Sequence, residues 1–168
     1  FITRLNPETV TDNAIVPFIL RLGCRSCPDF TALNRRLGLL YGAQLGADVS
    51  RYGDRQILSV SVKGLDRRVA LKNEDMVGAL SELLCDIVLD PLVEGDGFLA
   101  RNTELERQNL IDTIESEIND KRVYAQAQCL SLLYGENPRA IRPYGTVEKA
   151  RKITPQSAYQ AYRKLLQE

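Results

Sequence analysis

The chain has no histidine in 168 residues. Imidazole is the usual general base beside a serine or cysteine nucleophile and the commonest ligand of catalytic zinc, so Ser-His-Asp, Cys-His and His-ligated zinc chemistry are excluded. Net charge is missing too, with 22 Lys and Arg against 22 Asp and Glu. No overall field draws nucleic acid or an anionic membrane, and neither is expected as a partner. There is no apolar run of the roughly 20 residues needed to span a bilayer and no charged-then-apolar leader at the start. A cytoplasmic location is therefore expected. Internal repeats and low-complexity stretches are also absent. What is present, 44% hydrophobic residues, suits one domain that buries roughly 70% of its unfolded surface. Residues 1–168 are expected to form that single domain as a fragment of a longer two-domain chain, since the sequence opens at Phe1 and closes directly after a helical pattern.

The hydrophobic period divides the chain. Residues 1–6 read as the end of a strand or a loop, followed by a turn at Asn6-Pro7-Glu8-Thr9. Thr11 or Asp12 is expected to cap an apolar helix through Gly23, with Ile15, Phe18, Ile19 and Leu22 on one face and Pro17 near its first turn. Ser26, Pro28 and Asp29 start a second helix that ends at Gly42. The period then falls to two: Leu58, Val60 and Val62 alternate with Ile57, Ser59 and Ser61 after an Arg51-Tyr52-Gly53-Asp54 turn, which predicts a β-hairpin. Helical spacing returns at Met76 and stops at Asp90-Pro91. A further pattern runs from about Phe98 past Leu133 with a break near Asn119-Asp120, and Thr154 caps a last helix with Pro155 at its first position. A hairpin set among helices predicts an α+β fold, an antiparallel sheet with helices packed on one face.

Several residues invite chemistry. Cys24 and Cys27 form a C-x-x-C, yet no second half of a zinc site follows and the pair comes after a helix rather than opening one. Cys85 and Cys129 sit in apolar helical patterns and are expected to be small buried hydrophobes. Glu104, Glu106, Glu115 and Glu117 with interleaved Arg107 and Lys121 read as a solvated helix face rather than an acid/base or divalent-ion cluster. Arg35-Arg36 and Arg67-Arg68 are expected at the surface, and Tyr159 with Tyr162 in packing.

The order of these segments carries a resemblance. An apolar helix ending in Gly (IVPFILRLG), a second ending in Tyr-Gly-Ala, the hairpin GAQLGADVSRYGDRQILSVSV, the helix ELLCDIVLDPL and the run LERQNLIDTIE together resemble the N-terminal catalytic half of pitrilysin/insulinase-type metallopeptidases, which include the mitochondrial processing peptidase. That family carries an inverted zinc motif, H-x-x-E-H, on its first helix, whose two histidines bind Zn²⁺ while the glutamate activates water. The matching residues here are Pro17, Leu20 and Arg21. The family's third ligand, a glutamate seven residues after that of the E-R pair, maps from Glu106 to Thr113. All four positions are degenerate, and the resemblance thus implies no catalytic residue, no metal and no cofactor, with zinc expected only in an active relative.

The resemblance also implies a positive role. Family members bind substrate as an added β-strand, and the matching edge is Gly46, Ala47 and Asp48, where backbone groups do the recognising. They also form clamshells of two homologous halves. The expected function is therefore a non-catalytic subunit domain of a metallopeptidase-like half-clamshell, which assembles with a homologous peptidase-like subunit or with the second half of its own chain and guides peptide. Two alternatives stand beside it: a cryptic metallopeptidase with a displaced site built from Cys24, Cys27 and acidic residues, and a stand-alone regulatory peptide-binding domain.

Overall fold

The computed structural model describes residues 1–66, 68 and 75–167. Strand β1 (Ile2–Arg4) is followed by helices α1 (Val10–Leu20) and α2 (Phe30–Leu39), then by strands β2 (Gln44–Tyr52) and β3 (Arg55–Lys63). Next come α3 (Met76–Leu89), a small hairpin of β4 (Val93–Glu94) and β5 (Gly97–Phe98), α4 (Ala100–Ser116) and α5 (Lys121–Tyr134). The short α6 (Val147–Ala150) and α7 (Pro155–Leu165) end the described chain. The fold is α+β, with an antiparallel sheet ordered β1-β3-β2.

The hairpin forms for the reason its alternation suggests. β2 and β3 pair from Gln44↔Lys63 to Tyr52↔Arg55, and Val49 and Leu58 are buried on the helix-covered face. The loop is Gly53-Asp54, one step later than expected, and Gly53 has φ 61° at the first central position of a two-residue turn. On the other side β3 pairs with β1, leaving β2 at the edge of the three-stranded sheet.

Helix α1 is the central element, packed between the sheet and helices α4 and α7. It starts earlier than expected: Asn6 accepts the amides of Thr9 and Val10 on its carbonyl, and Thr9 rather than Thr11 or Asp12 is the N-cap. Pro17 consequently lies in the helix interior, where a missing N–H costs about 3 kcal/mol, instead of in the first turn. Burial also runs all round α1, from Val10 through Asn13, Val16 and Leu20, rather than along one stripe.

Elsewhere the expected punctuation holds. Asp29 caps α2 by accepting from the Ala32 amide at 2.7 Å, and α3 stops before Asp90-Pro91. Asp120 breaks the long pattern and caps α5 by accepting from Arg122 and Val123. Thr154 and Ser157 close a capping box on α7 with Pro155 at its start. Tyr162 is buried and donates to the Val88 carbonyl at 3.0 Å, and its ring stacks on Tyr159, 5.7 Å between centroids. Both tyrosines pack, as expected.

Three expectations fail. Cys85 and Cys129 are exposed, because α3 buries Met76, Leu83 and Ile87, a stripe that Cys85 misses, and α5 has no buried residue. Glu106 is buried at 3% exposure, because its face of α4 meets α1. The β4–β5 hairpin has no forerunner in the sequence pattern. Arg35 is exposed and Arg36 reaches Glu82 at 3.6 Å. Arg68 is exposed and bonded to Asp66, whereas Arg67 lies outside the described residues. Among the described residues no helix is long and apolar enough to cross a membrane.

Candidate functional site

The degenerate motif positions part company in three dimensions. Pro17 and Leu20 turn into the core, Leu20 with no exposure at all. Arg21, at the C-cap of α1, turns outward into a cleft shared with Phe18, Glu106, Asn109 and Thr113. Its guanidinium lies 5.5 Å from the Phe18 ring centroid and 3.6 Å from Oε1 of Glu106. Asn109 donates to the other Glu106 oxygen at 3.2 Å. A positive charge on α1 therefore balances the one buried carboxylate of α4, since a buried anion without a partner is strongly unfavourable. Thr113 is exposed and its hydroxyl donates to the Asn109 carbonyl at 2.7 Å.

Gly46, Ala47 and Asp48 lie in the middle of the edge strand. In a hairpin closed by Tyr52 and Arg55 across two loop residues, the even positions of β2 exchange hydrogen bonds with β3. The outer bonds of β3 agree, because Leu58 exchanges its backbone groups with Phe1 and not with Val49. The amides and carbonyls of Leu45, Ala47, Val49 and Arg51 therefore point away from β3, along the free edge. Three concavities lie in this region. The first is lined by Gln44, Leu45, Leu37 and Arg21, the second by Arg21, Phe18 and Thr113, and the third by Thr113, Tyr144 and Arg51. Neighbouring ones share a wall at Arg21 or at Thr113, and β2 contributes its two ends, Gln44 with Leu45 and Arg51.

Comparison with known proteins follows this geometry. No family model matches the chain. "Probable inactive metalloprotease YmfF" of Bacillus subtilis is 24% identical over 163 residues, which is 97% of this chain and 38% of that protein. A conserved protein of Enterococcus faecalis superimposes with a TM-score of 0.90 at 28% identity, over 99% of this chain and 39% of the other. An inactive peptidase domain from Pseudomonas fluorescens superimposes with a TM-score of 0.69 at 18% identity, over 96% of this chain and 36% of the other, and shows the shared fold. The chain is similar to proteins described as inactive metallopeptidases, in line with the resemblance that its sequence carries. It spans about two fifths of the length of the proteins it matches.

At the four positions that match the zinc motif, the side chains of this chain do not fit zinc. Proline and leucine side chains offer no lone pair, and guanidinium is a permanent cation without an acceptor. The relatives of matching name are described as inactive, and the motif positions of this chain likewise carry no metal-ligating side chain. The remaining carboxylates disperse rather than converge: Glu104 pairs with Arg107 at 2.6 Å, Glu115 with Arg151 at 3.6 Å and Glu117 with Arg142 at 2.7 Å. Cys24 and Cys27 are buried and bridged to each other through their backbones. Cys24 Sγ lies 3.3 Å from Ser26 Oγ, which donates to Asp86 at 2.7 Å, and burial pushes the Cys27 thiol up. Among the described residues no group of three or more Cys, Asp or Glu is placed to hold a metal ion.

Sequence reasoning missed three members of this region. Gln56, fully buried, donates from Nε2 to the carbonyls of Val10 (2.9 Å) and Pro143 (2.7 Å) and accepts from Asn13 (3.4 Å). It pins the segment carrying Tyr144, whose ring stacks on Phe18 at 6.5 Å and whose hydroxyl is pushed up by burial and by nearby Asp48. Arg51 lines the third concavity. One signal was available: Gln56 is the polar residue in the covered phase of Leu58, Val60 and Val62, where a buried amide must find partners.

Proposed function

We propose that this domain is the non-catalytic half of a peptidase-like clamshell, which binds extended peptide along Gly46, Ala47 and Asp48 and assembles with a homologous subunit or with the second half of its own chain in the cytoplasm. The observation that carries the reading is the edge of β2, which pairs with no strand on its outer side among the described residues and has concavities beside both of its ends. Main-chain donors and acceptors give an added strand its affinity, and concavities beside the strand receive alternate side chains. Nothing in this recognition requires metal, and neither zinc nor another cofactor enters the proposal.

The test uses the full-length protein with and without an intact H-x-x-E-H relative. Size-exclusion chromatography with light scattering should give a stable complex of the two, and labelled peptide should bind. Ala47→Pro removes an outward-facing amide but no bond to β3, so it should weaken peptide binding while leaving the melting temperature nearly unchanged. A monomer indifferent to the relative but still binding peptide through β2 would favour the stand-alone regulatory alternative. Binding that is unaffected by Ala47→Pro would overturn the edge.

A further inference from the structure

The turn between α1 and α2 holds a matched pair of thiols. Cys24 and Cys27 exchange both backbone hydrogen bonds: the Cys24 amide donates to the Cys27 carbonyl at 3.1 Å, and the Cys27 amide to the Cys24 carbonyl at 2.9 Å. Residues opposed in this way keep their Cα atoms about 5.5 Å apart and send their side chains to one face. Disulfides span about 4.4–6.8 Å between Cα atoms, so a bridge can close here without opening the turn. Closing it draws the Cβ atoms together from about 5.5 Å, and a bridge strained in that way is readily reduced again. The turn itself is tied to the end of α3, since the Arg25 amide donates to the Asp90 carbonyl at 3.0 Å and Cys24 forms a second backbone bridge, to Pro91.

The two sulfurs differ in access and in partners. Cys24 has no exposure, whereas Cys27 keeps 6% and lines an open concavity with Asp29, Arg35 and Arg36. Asp29 is committed to the cap of α2 and Arg36 reaches Glu82, so exposed Arg35 gives the rim its positive charge. Burial pushes the Cys27 thiol up and neighbouring Cys24 adds to the rise, which slows its reaction with any reagent not held in the concavity. Behind it, Ser26 donates its one hydroxyl proton to Asp86 Oδ2 at 2.7 Å, so towards Cys24 Sγ, 3.3 Å away, its oxygen is the acceptor. A relay from Cys24 through Ser26 thus leads to a partly exposed carboxylate on α3.

We propose that Cys24 and Cys27 form a reversible thiol–disulfide site, entered at Cys27 by an anionic low-molecular-weight disulfide and closed by Cys24. The Cys27 thiolate attacks one sulfur of the disulfide RS–SR, forms Cys27–S–SR and releases RS⁻. Cys24 passes its proton to the Ser26–Asp86 relay, attacks the Cys27 sulfur and expels the second RS⁻. Two thiols of the protein are oxidised and one external disulfide is reduced to two thiols. In a reducing compartment such a bridge is transient, and it registers oxidant rather than supporting the fold.

The test incubates full-length protein with glutathione disulfide, blocks the remaining thiols with iodoacetamide in denaturant and maps the peptides after trypsin. Trypsin cuts between Arg25 and Ser26, so a Cys24–Cys27 bridge leaves two peptides joined until dithiothreitol is added. The joined pair should form in the unmutated protein and separate on reduction. Cys24→Ser should accumulate glutathione on Cys27, whereas Cys27→Ser should leave Cys24 free of it. Asp86→Asn should leave the first step unchanged and prolong the mixed disulfide severalfold. Arg35→Glu should slow adduct formation severalfold with glutathione disulfide but not with cystamine, a cationic disulfide. The joined pair is read in the unmutated protein, so it decides the site even if a cysteine variant does not fold. Its absence while exposed Cys85 takes up glutathione would overturn the site. Glutathione on Cys24 in the Cys27→Ser variant would overturn the order of entry, and an equal effect of Arg35→Glu on both disulfides would overturn the anionic preference.

Discussion

Helices α1 and α5 border neighbouring clefts that share Thr113 and have opposite surroundings. Over 11 residues α1 buries side chains on every side, whereas the 14 residues of α5 bury none. The first is held by packing, the second by its Asp120 cap and by the neighbouring Glu117–Arg142 pair. On α1 the positions that match the zinc motif lie in the core or in an ion pair, so they serve stability. α5 shapes a surface, and its substitutions should act on binding rather than on folding.

The comparison can be broken most severely at Leu20. Leu20→Glu, which restores the family's acid, places an unpaired carboxylate at a position with no exposure and should destabilise the domain by about 4 kcal/mol or more, read as loss of the cooperative urea transition by circular dichroism. Arg21→Ala should cost less, about 1–2 kcal/mol, because the guanidinium that balances Glu106 is 40% exposed and screened by water. Adding Glu106→Leu to Arg21→Leu should recover most of that loss, and a double-mutant cycle with no coupling would refute the pairing.

A subtler test lies in pH. Burial raises the carboxyl of Asp12 above its ordinary 3.8, against the pull of Lys149 and Lys164. The folded state therefore binds this proton more tightly than the unfolded one. The stability that it contributes is complete below the unfolded value and is lost as pH rises through the folded one. Asp12→Asn should thus stabilise at pH 7 and make no gain at pH 3, measured by thermal melts at both. Smallest of all should be Leu132→Ser and Leu133→Ser on α5, at 87% and 69% exposure, each within about 0.5 kcal/mol of the parent.

Local signals were legible wherever a local cause fixed the outcome. Strand alternation at 57–62, the Asp90-Pro91 stop, the break at Asp120 and the cap at Thr154 each act through neighbouring residues, and each lies where the sequence places it. The misses share a non-local cause. Pro17 moved to a helix interior because Asn6 started the helix a turn earlier. Glu106 was read as solvated, yet its environment is set by Arg21, 85 positions away in the chain. Cys85 and Cys129 belong to apolar patterns, but which stripe is buried depends on the neighbours a helix meets, and α5 meets few. The concavities are harder still to foresee, since their walls come from six separate segments that only the fold brings together.

The Arg21–Glu106 pair also bears on history. A mutational path back to the zinc motif would have to replace Arg21 with histidine, and the first such step strands Glu106 beside a neutral ring. Leu20 would have to accept charge inside a packed core before any metal existed to compensate it, and Pro17 would have to become histidine as well. Each reversion is harmful until all are present, so selection acting on single steps works against the return. The guanidinium that balances Glu106 is in that sense a ratchet.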